Sequence, residues 1–570
     1  MRDKEEFYQL LTSIDGKEYP EYSKLIGDFD FTRYVLKISQ IQAPGAGQGT
    51  LMLLRVPQII AAFPPHLHNN PVRRTALEDF LIRKVSNRLE LLARHDEEGF
   101  SRRHLPLFSP GQAILPRSAL VVTEEYIEAR LYVDLPARHD AIAADAASRI
   151  FFEDLPQVVN ASLIYCNLNE REVEDFVNMM EDADQLRQVL ATRGWVAFCG
   201  EGALPARAGH TDEPDYEHLV PLAVEDSLAA ELEVPNAGAI RGFGVPSGIT
   251  VLLGDAYSGR VEIMRALASG IYNHIPGDGR EWVVTVPDAV AVVSEPGRSI
   301  QRVNISAFVG PQALPGDARQ YTCSQADAFA SQAAATVEAI EAGARVLLFD
   351  EASSASEFLS RDERIASLLP PERGTVPLAL RARQLVDDLG LSLVVAGAAS
   401  VAEFIPVADT VLRVENFRVS NVTKEAREMA IAAPAKPPAA DVSALAEPVR
   451  TVIPTSIDPS SDRFDAVISA PDIHTLQFGR SRVNLSGVLQ LADVYQVRTI
   501  GRILYYAKLR YMDEPRPIRE VLDLVDRDLS TEGLESLTRD LRGDLARPRR
   551  YEIAAALNRL DTLRVHQKAP

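Results

Sequence analysis

Cysteine is scarce: Cys166, Cys199 and Cys323 are the only three in 570 residues, and they lie far apart. No pair has the spacing of a metal knuckle or a redox motif, which argues against zinc-held folding and dithiol chemistry. Buried or indifferent thiols in a reducing cytosol are expected. Long apolar runs are missing as well. A stretch such as Leu391 to Ala402 is too short to span a bilayer. The opening Met1-Arg2-Asp3-Lys4-Glu5-Glu6 reads as no signal peptide, so a cytoplasmic protein with no membrane association is expected. Positive charge is in deficit: the formal net charge is −20. That argues against a general nucleic-acid-binding face and leaves room only for a local basic channel. No internal repeat is visible. What remains is ordinary globular composition, 46% hydrophobic and 25% charged. The length suffices for three or four domains.

The most informative stretch runs from Gly248 to Ala268. Ile249-Thr250-Val251-Leu252-Leu253 is a short apolar, β-branched run. Gly254-Asp255-Ala256-Tyr257-Ser258-Gly259 follows, with a glycine at each end. Apolar residues at Ile263, Met264, Leu267, Ala268 and Ile271 then form one stripe of a helix. Strand, six-residue loop and helix are the frame of a phosphate-binding P-loop. In such a loop, backbone N–H groups cradle phosphates, a lysine reaches the β- and γ-phosphates, and a hydroxyl holds Mg²⁺. Here Arg260 stands in the lysine's place, Val261 in the hydroxyl's, and Glu262 follows. About ninety residues on, Arg345-Val346-Leu347-Leu348-Phe349-Asp350-Glu351 reads as a buried strand ending in two carboxylates. Such a strand supplies the Asp that holds Mg²⁺ in P-loop NTPases. Each half is weak evidence; the ordered pair is much stronger.

The remaining chain divides by pattern. Residues 1–165 mix strands (Tyr34 to Ile38, Leu51 to Val56, Leu120 to Val122, Ala129 to Val133) with helices (Thr75 to Arg94, Ala141 to Phe152). Residues 43–49 read as a turn, and Arg73-Arg74 and Arg102-Arg103-His104 as small, solvated basic clusters. Glu170 to Thr192 reads as a helix. Residues 166–430 form the α/β core. Strands are expected at Leu228 to Val234, Ile249 to Leu253, Trp282 to Val286, Val346 to Phe349, Ser392 to Ala396 and Thr410 to Val414, in a largely parallel sheet. Residues 431–463, rich in Ala and Pro around Ala433 to Ala440, read as a linker. Residues 464–570 are mainly helical, with an amphipathic pattern from Ile500 to Leu509 and a basic turn at Arg547-Pro548-Arg549-Arg550, read as a helix start paired with local acids.

These residues carry a resemblance. The chain resembles the predicted ATPases of the ABC class nearly end to end. The match includes Arg73 to Leu81, Leu135-Pro136-Ala137-Arg138, Phe152 to Pro156, Ser331-Gln332-Ala333-Ala334, Glu341 to Arg345 and Gly543 to Arg550. It is clearest in Ile271-Tyr272-Asn273-His274-Ile275-Pro276-Gly277-Asp278-Gly279-Arg280-Glu281. The resemblance implies an ABC-like P-loop NTPase core, a mixed α/β N-terminal domain, a mainly helical C-terminal domain and a dimer. It implies ATP and Mg²⁺ as cofactors, Asp350 as the metal residue, and Asp350 and Glu351 as the catalytic pair if hydrolysis survives. Gly254, Tyr257, Ser258, Gly259, Arg260, Val261, Glu262 and Ser331 would line the nucleotide. One branch of the family is associated with RNA processing, which keeps nucleic acid among the possible partners.

The departures from the family pattern point one way. The family loop reads roughly Gly-Gly-Gly-Tyr-His-Gly-Lys-Ser-Thr, and its signature-like stretch has Gly, Ser and Thr where this chain has Ala328, Phe329 and Ala330. Val261 cannot ligate a metal, and Glu262 places a carboxylate at a helix N-terminus suited to anions. Glu262 could satisfy that helix dipole or pair with Arg260. Each lost charge-assisted contact is worth about 1.5–3 kcal/mol. The expectation is a weak nucleotide binder with hydrolysis lost or reduced, acting as a scaffold or regulatory subunit, as a homodimer or beside a related ATPase. The alternatives are a working ATPase with a variant loop and a nucleic-acid-binding module. His274, between Ile271 and Ile275, is expected to be a packed, hydrogen-bonded histidine and not a catalyst.

Overall fold

The computed structural model describes residues 1–42, 49–95, 104–105, 109–209, 211–310, 313, 316–361, 368, 374–430, 442–447, 450–460, 466–513 and 515–567. The turn expected at 43–48, Arg102-Arg103 and the Ala/Pro-rich run at 433–440 lie outside the described residues. The chain forms two compact units. One comprises Met1–Glu181 with Leu534–Arg547, and the other Asp182–Gly533 with Pro548–Pro570.

The first unit is built on a six-stranded sheet. Its strands are β1 (Arg2–Asp3), β2 (Gly27–Asp30), β3 (Val35–Ile38), β4 (Thr50–Pro57), β5 (Leu120–Val122) and β6 (Tyr126–Val133), in the order β1-β2-β3-β4-β6-β5. Helix α1 (Lys4–Ser13) starts from a capping box between Asp3 and Glu6. It buries Phe7 edge-on against Phe29 and Phe151, each 4.7 Å away between ring centroids. The periodic segment around Thr75 to Arg94 is helix α2 (Pro71–His95). The helix expected over Ala141 to Phe152 is shorter, Ala144–Arg149, and passes into a π-turn at Ile150–Asp154. Arg73 is not solvated as expected. It is buried and bonded to Glu181 (2.6 Å), Asn178 (2.9 Å) and the His66 carbonyl (2.7 Å), so its charge serves packing.

The second unit carries two sheets. Strands β7 (Trp195–Gly200), β8 (Ala223–Val224), β9 (Ala230–Val234), β10 (Gly238–Pro246), β11 (Ile249–Leu253), β12 (Val283–Thr285) and β13 (Ala289–Ala291) come first. Helix α3 (Arg260–Ser269) follows β11, and helix α4 (Ala328–Glu341) precedes β14 (Val346–Asp350). Then come helix α5 (Leu378–Leu389) and strands β15 (Ser392–Gly397), β16 (Thr410–Glu415) and β17 (Arg418–Asn421). The main sheet has the order β8-β17-β16-β11-β15-β14-β13. All neighbours in it are parallel except the β16–β17 hairpin. Strands buried on both faces read as continuous apolar runs, which is why β11, β14 and β15 were legible in the sequence; β16, with Arg413 and Glu415 exposed, is apolar only in part.

Two expected members of that sheet belong elsewhere. Ala230–Val234 and Val283–Thr285 pair with β10 and β7 in a separate antiparallel sheet of order β9-β10-β7-β12. Burial patterns alone do not say which sheet a strand joins; long-range pairing does. The chain after residue 464 is helical at α6 (Val494–Arg510), α7 (Ile518–Thr531) and α8 (Arg550–Asn558). It opens on a three-stranded antiparallel sheet over Ile468–Asn484, which helical periodicity does not reveal. The basic turn pairs as expected. Arg549 donates to Glu552, which accepts from the Arg549 N–H (2.9 Å), and Arg550 pairs with Asp523 at 2.6 Å.

Candidate functional site

Strand β11 is buried, and its Leu253 leads into the loop Gly254–Gly259 at the carboxyl end of the parallel strands, where such sheets bind ligands. The Gly254 N–H donates to the carbonyl of Gly397 at the end of β15 (3.2 Å). A side chain at 254 would meet the Ser258 hydroxyl at 2.6 Å and the Val414 carbonyl at 2.9 Å, so glycine is needed for close approach. Gly259 has φ +91°, and a Cβ there would meet the Phe417 ring at 2.6 Å. Tyr257 also has positive φ (63°) and is fully exposed. Asp255 and Ala256 are exposed, whereas Ser258 is buried. The loop is therefore pinned at both glycines with its middle in solvent.

Helix α3 begins at Arg260, and this side chain dominates the site. It is only 7% exposed. Its Nη1 donates to Asp350 Oδ1 at 3.2 Å, and Nη2 lies 3.9 Å from Glu351 Oε2. Glu262, in the first turn of α3, is not its partner among the described residues, so the ion pair crosses to β14 and does not stay within the loop. Asp350 Oδ1 also accepts from the Ala352 N–H at 3.1 Å. Glu351 is held on another side, accepting from the N–H groups of Ala398 (2.7 Å) and Ser400 (3.2 Å). Burial alone would raise its pKa, but the Ala398 and Ser400 donors and the Arg260 charge outweigh it. The carboxyl is held below the usual glutamate range. The geometry thus brings Arg260, Asp350 and Glu351 together, with both carboxylates already engaged by groups of the same chain.

The donor set does not fit a Mg²⁺ ion in the P-loop manner. Val261 offers no oxygen from its side chain, and Asp350 is ion-paired to Arg260.

The signature-like stretch forms the start of α4. Asp327 caps it, accepting from the Ala330 N–H at 2.7 Å. Phe329 is 8% exposed and lies edge-on to Phe358, centroids 5.7 Å apart. Ser331 is fully buried; its hydroxyl donates to the Ala328 carbonyl (2.8 Å) and accepts from the Glu295 N–H (2.9 Å). Gln332 is buried too, donating to Ser354 Oγ and accepting from the Ala355 N–H, both at 2.8 Å. Within this chain the stretch is packed core, and it is not brought to the Gly254–Gly259 loop by any contact among the described residues. His274 is buried as expected, 2.8 Å from Asp278, which also takes both of its bonds from Arg207 Nη2 (2.8 and 2.7 Å).

Sequence reasoning missed the support around the loop. The β16–β17 hairpin turns at Asn416 and Phe417, both with positive φ (48° and 59°). This is the twist two-residue hairpin turns favour, and Asn416 is the signal that could have revealed it. Phe417 then donates its N–H to the Ser258 carbonyl (2.8 Å) and lays its ring against Gly259. No local sequence feature announces that contact, or the Ala398 and Ser400 amides beneath Glu351.

Comparison with known families agrees with this architecture. The model of the N-terminal region of the ATPase of the ABC class matches residues 4–166, and that of its P-loop domain matches 169–447. The model of the MRB1590 C-terminal domain matches 467–566. No curated protein matches the chain. No helix among the described residues is long and apolar enough to cross a membrane. With a strand–loop–helix phosphate frame on a parallel sheet and two adjoining family matches, the chain belongs to the ATPases of the ABC class.

Proposed function

We propose that this chain is a weak nucleotide binder whose ATP hydrolysis is lost or strongly reduced, and that it works as a scaffold or regulatory subunit. The observation that carries the reading is the buried Arg260–Asp350 pair. The cation that should meet phosphate is ion-paired within the chain, and so is the carboxylate that should meet metal. Glu351, the residue that would polarise water, is tied to two backbone N–H groups. Catalysis of phosphoryl transfer depends on charge stabilisation in place at the transition state, and these contacts spend that charge elsewhere. Phe329 in the signature-like stretch adds to the loss, since its ring offers no donor to a γ-phosphate. Gly254, Tyr257, Ser258 and Gly259 retain the loop, whose backbone N–H groups can still receive an anion. Assembly is proposed to be a dimer, with itself or with a related intact ATPase, since an ABC site takes its second wall from the opposing subunit.

Calorimetric titration with ATP, phosphate-release assays and mass in solution test this together. The expected outcome is weak binding, negligible turnover and a dimer in at least one nucleotide condition. Micromolar Mg-ATP affinity with turnover dependent on Asp350 and Glu351 would establish the working variant ATPase instead.

A further inference from the structure

We infer that the loop recognises the triphosphate of a metal-free nucleotide through Arg260, which stands in the lysine's place, and that Asp350 acts as an internal anion that competes with it. The inference rests on the reading of Gly254–Gly259 as a nucleotide loop and adds the species bound and the brake on its binding. Three observations carry it. First, neither of the metal's two usual anchors is free, because Val261 stands in the hydroxyl's place and Asp350 is ion-paired. Second, the pair is sheltered: the side chains of Arg260 and Asp350 are 8% and 12% exposed, so a hydrated Mg²⁺ would have to displace a buried guanidinium to reach the carboxylate. Third, Arg260 is not fully used. Its Nε is buried without a hydrogen-bond partner among the described residues, and only Nη1 makes a hydrogen bond to Asp350. A guanidinium has five N–H donors in a planar fork that matches phosphate oxygens. A permanent cation in the lysine's place gives the loop charge for the phosphates without a metal. Phosphate and Asp350 then compete for one cation.

The test uses the full chain and ATP, titrated calorimetrically in EDTA and in excess MgCl₂. The expected result is binding in EDTA at least as tight as in MgCl₂. Mg²⁺ tightening the binding by more than about tenfold, the worth of one charge-assisted hydrogen bond, overturns the inference. Asp350→Asn keeps the shape and removes the competing charge. It is expected to tighten ATP binding in EDTA by about tenfold on the same scale; unchanged or weaker binding by a folded variant overturns the inference. Where that variant fails to fold, Arg260→Lys with Val261→Ser serves instead. Restoring ammonium and hydroxyl is expected to make binding Mg²⁺-dependent, and continued indifference to Mg²⁺ overturns the inference. Failure here leaves the weak-binder reading standing as long as the unmodified chain shows no turnover. Turnover of Mg-ATP sinks both.

Discussion

Phe329→Ser puts a hydroxyl into the signature-like stretch, and it is expected to damage the fold before it helps any chemistry. Phe329 lies in the main apolar core of the second unit, with Phe358, Phe349 and Phe308 nearby in the same cluster. Truncating a buried Phe costs about 3–5 kcal/mol in transfer and cavity terms. The edge-on contact with Phe358 accounts for roughly 0.5–1.5 kcal/mol of such a loss. A buried serine hydroxyl would add to it unless it found a partner in the preceding turn. Urea unfolding reads the change directly, because the chain's two tryptophans, Trp195 and Trp282, both lie in the second unit. With a slope of about 3 kcal/mol/M, the fluorescence midpoint should fall by roughly 1 M or more. Phe329→Leu should lose about 1–2 kcal/mol, keeping most of the apolar volume. A serine variant that unfolds at the same urea concentration as the unmodified chain would refute the placement of Phe329 in the core. It would also reopen the stretch as an exposed wall for a partner's phosphate.

Three other outcomes are expected. Arg260→Lys, Val261→Ser and Glu262→Thr together should raise Mg-ATP affinity in calorimetry while phosphate release stays low, because Ala328, Phe329 and Ala330 are unchanged. Glu341→Gln breaks the buried pair with Arg450, whose side chain is 4% exposed and also donates to the Gln301 carbonyl; leaving that charge unpaired should cost about 3–5 kcal/mol by the same urea assay. Asp278 is fully buried; burial alone would raise its pKa, but His274, Arg207 and Arg280 hold it below the usual aspartate range. A depressed folded-state pKa stabilises above the unfolded value and is lost as pH falls through the folded value. Asp278→Asn should therefore lower the urea midpoint at neutral pH and shrink its fall below pH of about 4; an acid limb identical to that of the unmodified chain would contradict the assignment.

The sequence alone determined the elements whose burial is two-sided or whose period is strong. Strands β11, β14 and β15 are apolar runs, and helices α2 and α6 are periodic, so each announces itself locally. The loop was legible for a related reason: Gly254 and Gly259 mark places where only glycine fits, and their spacing between a strand and a helix is itself informative. The chain also reads Arg260 and Val261 where a lysine and a hydroxyl are expected. Only the tertiary structure decided what Arg260 touches. The distance from Arg260 to Asp350 is set by parallel strands that pair distant residues, Ile249 with Leu393 and Val346 with Ser392, and no local pattern states whether a guanidinium will turn to Glu262 beside it or cross to β14. The same holds for Phe329, which reads as a lost hydroxyl in the sequence and is a core residue in the fold, and for Arg73, which reads as surface charge and is buried against Glu181. Local periodicity reports whether a position is covered; only the three-dimensional pairing of distant segments determines what covers it.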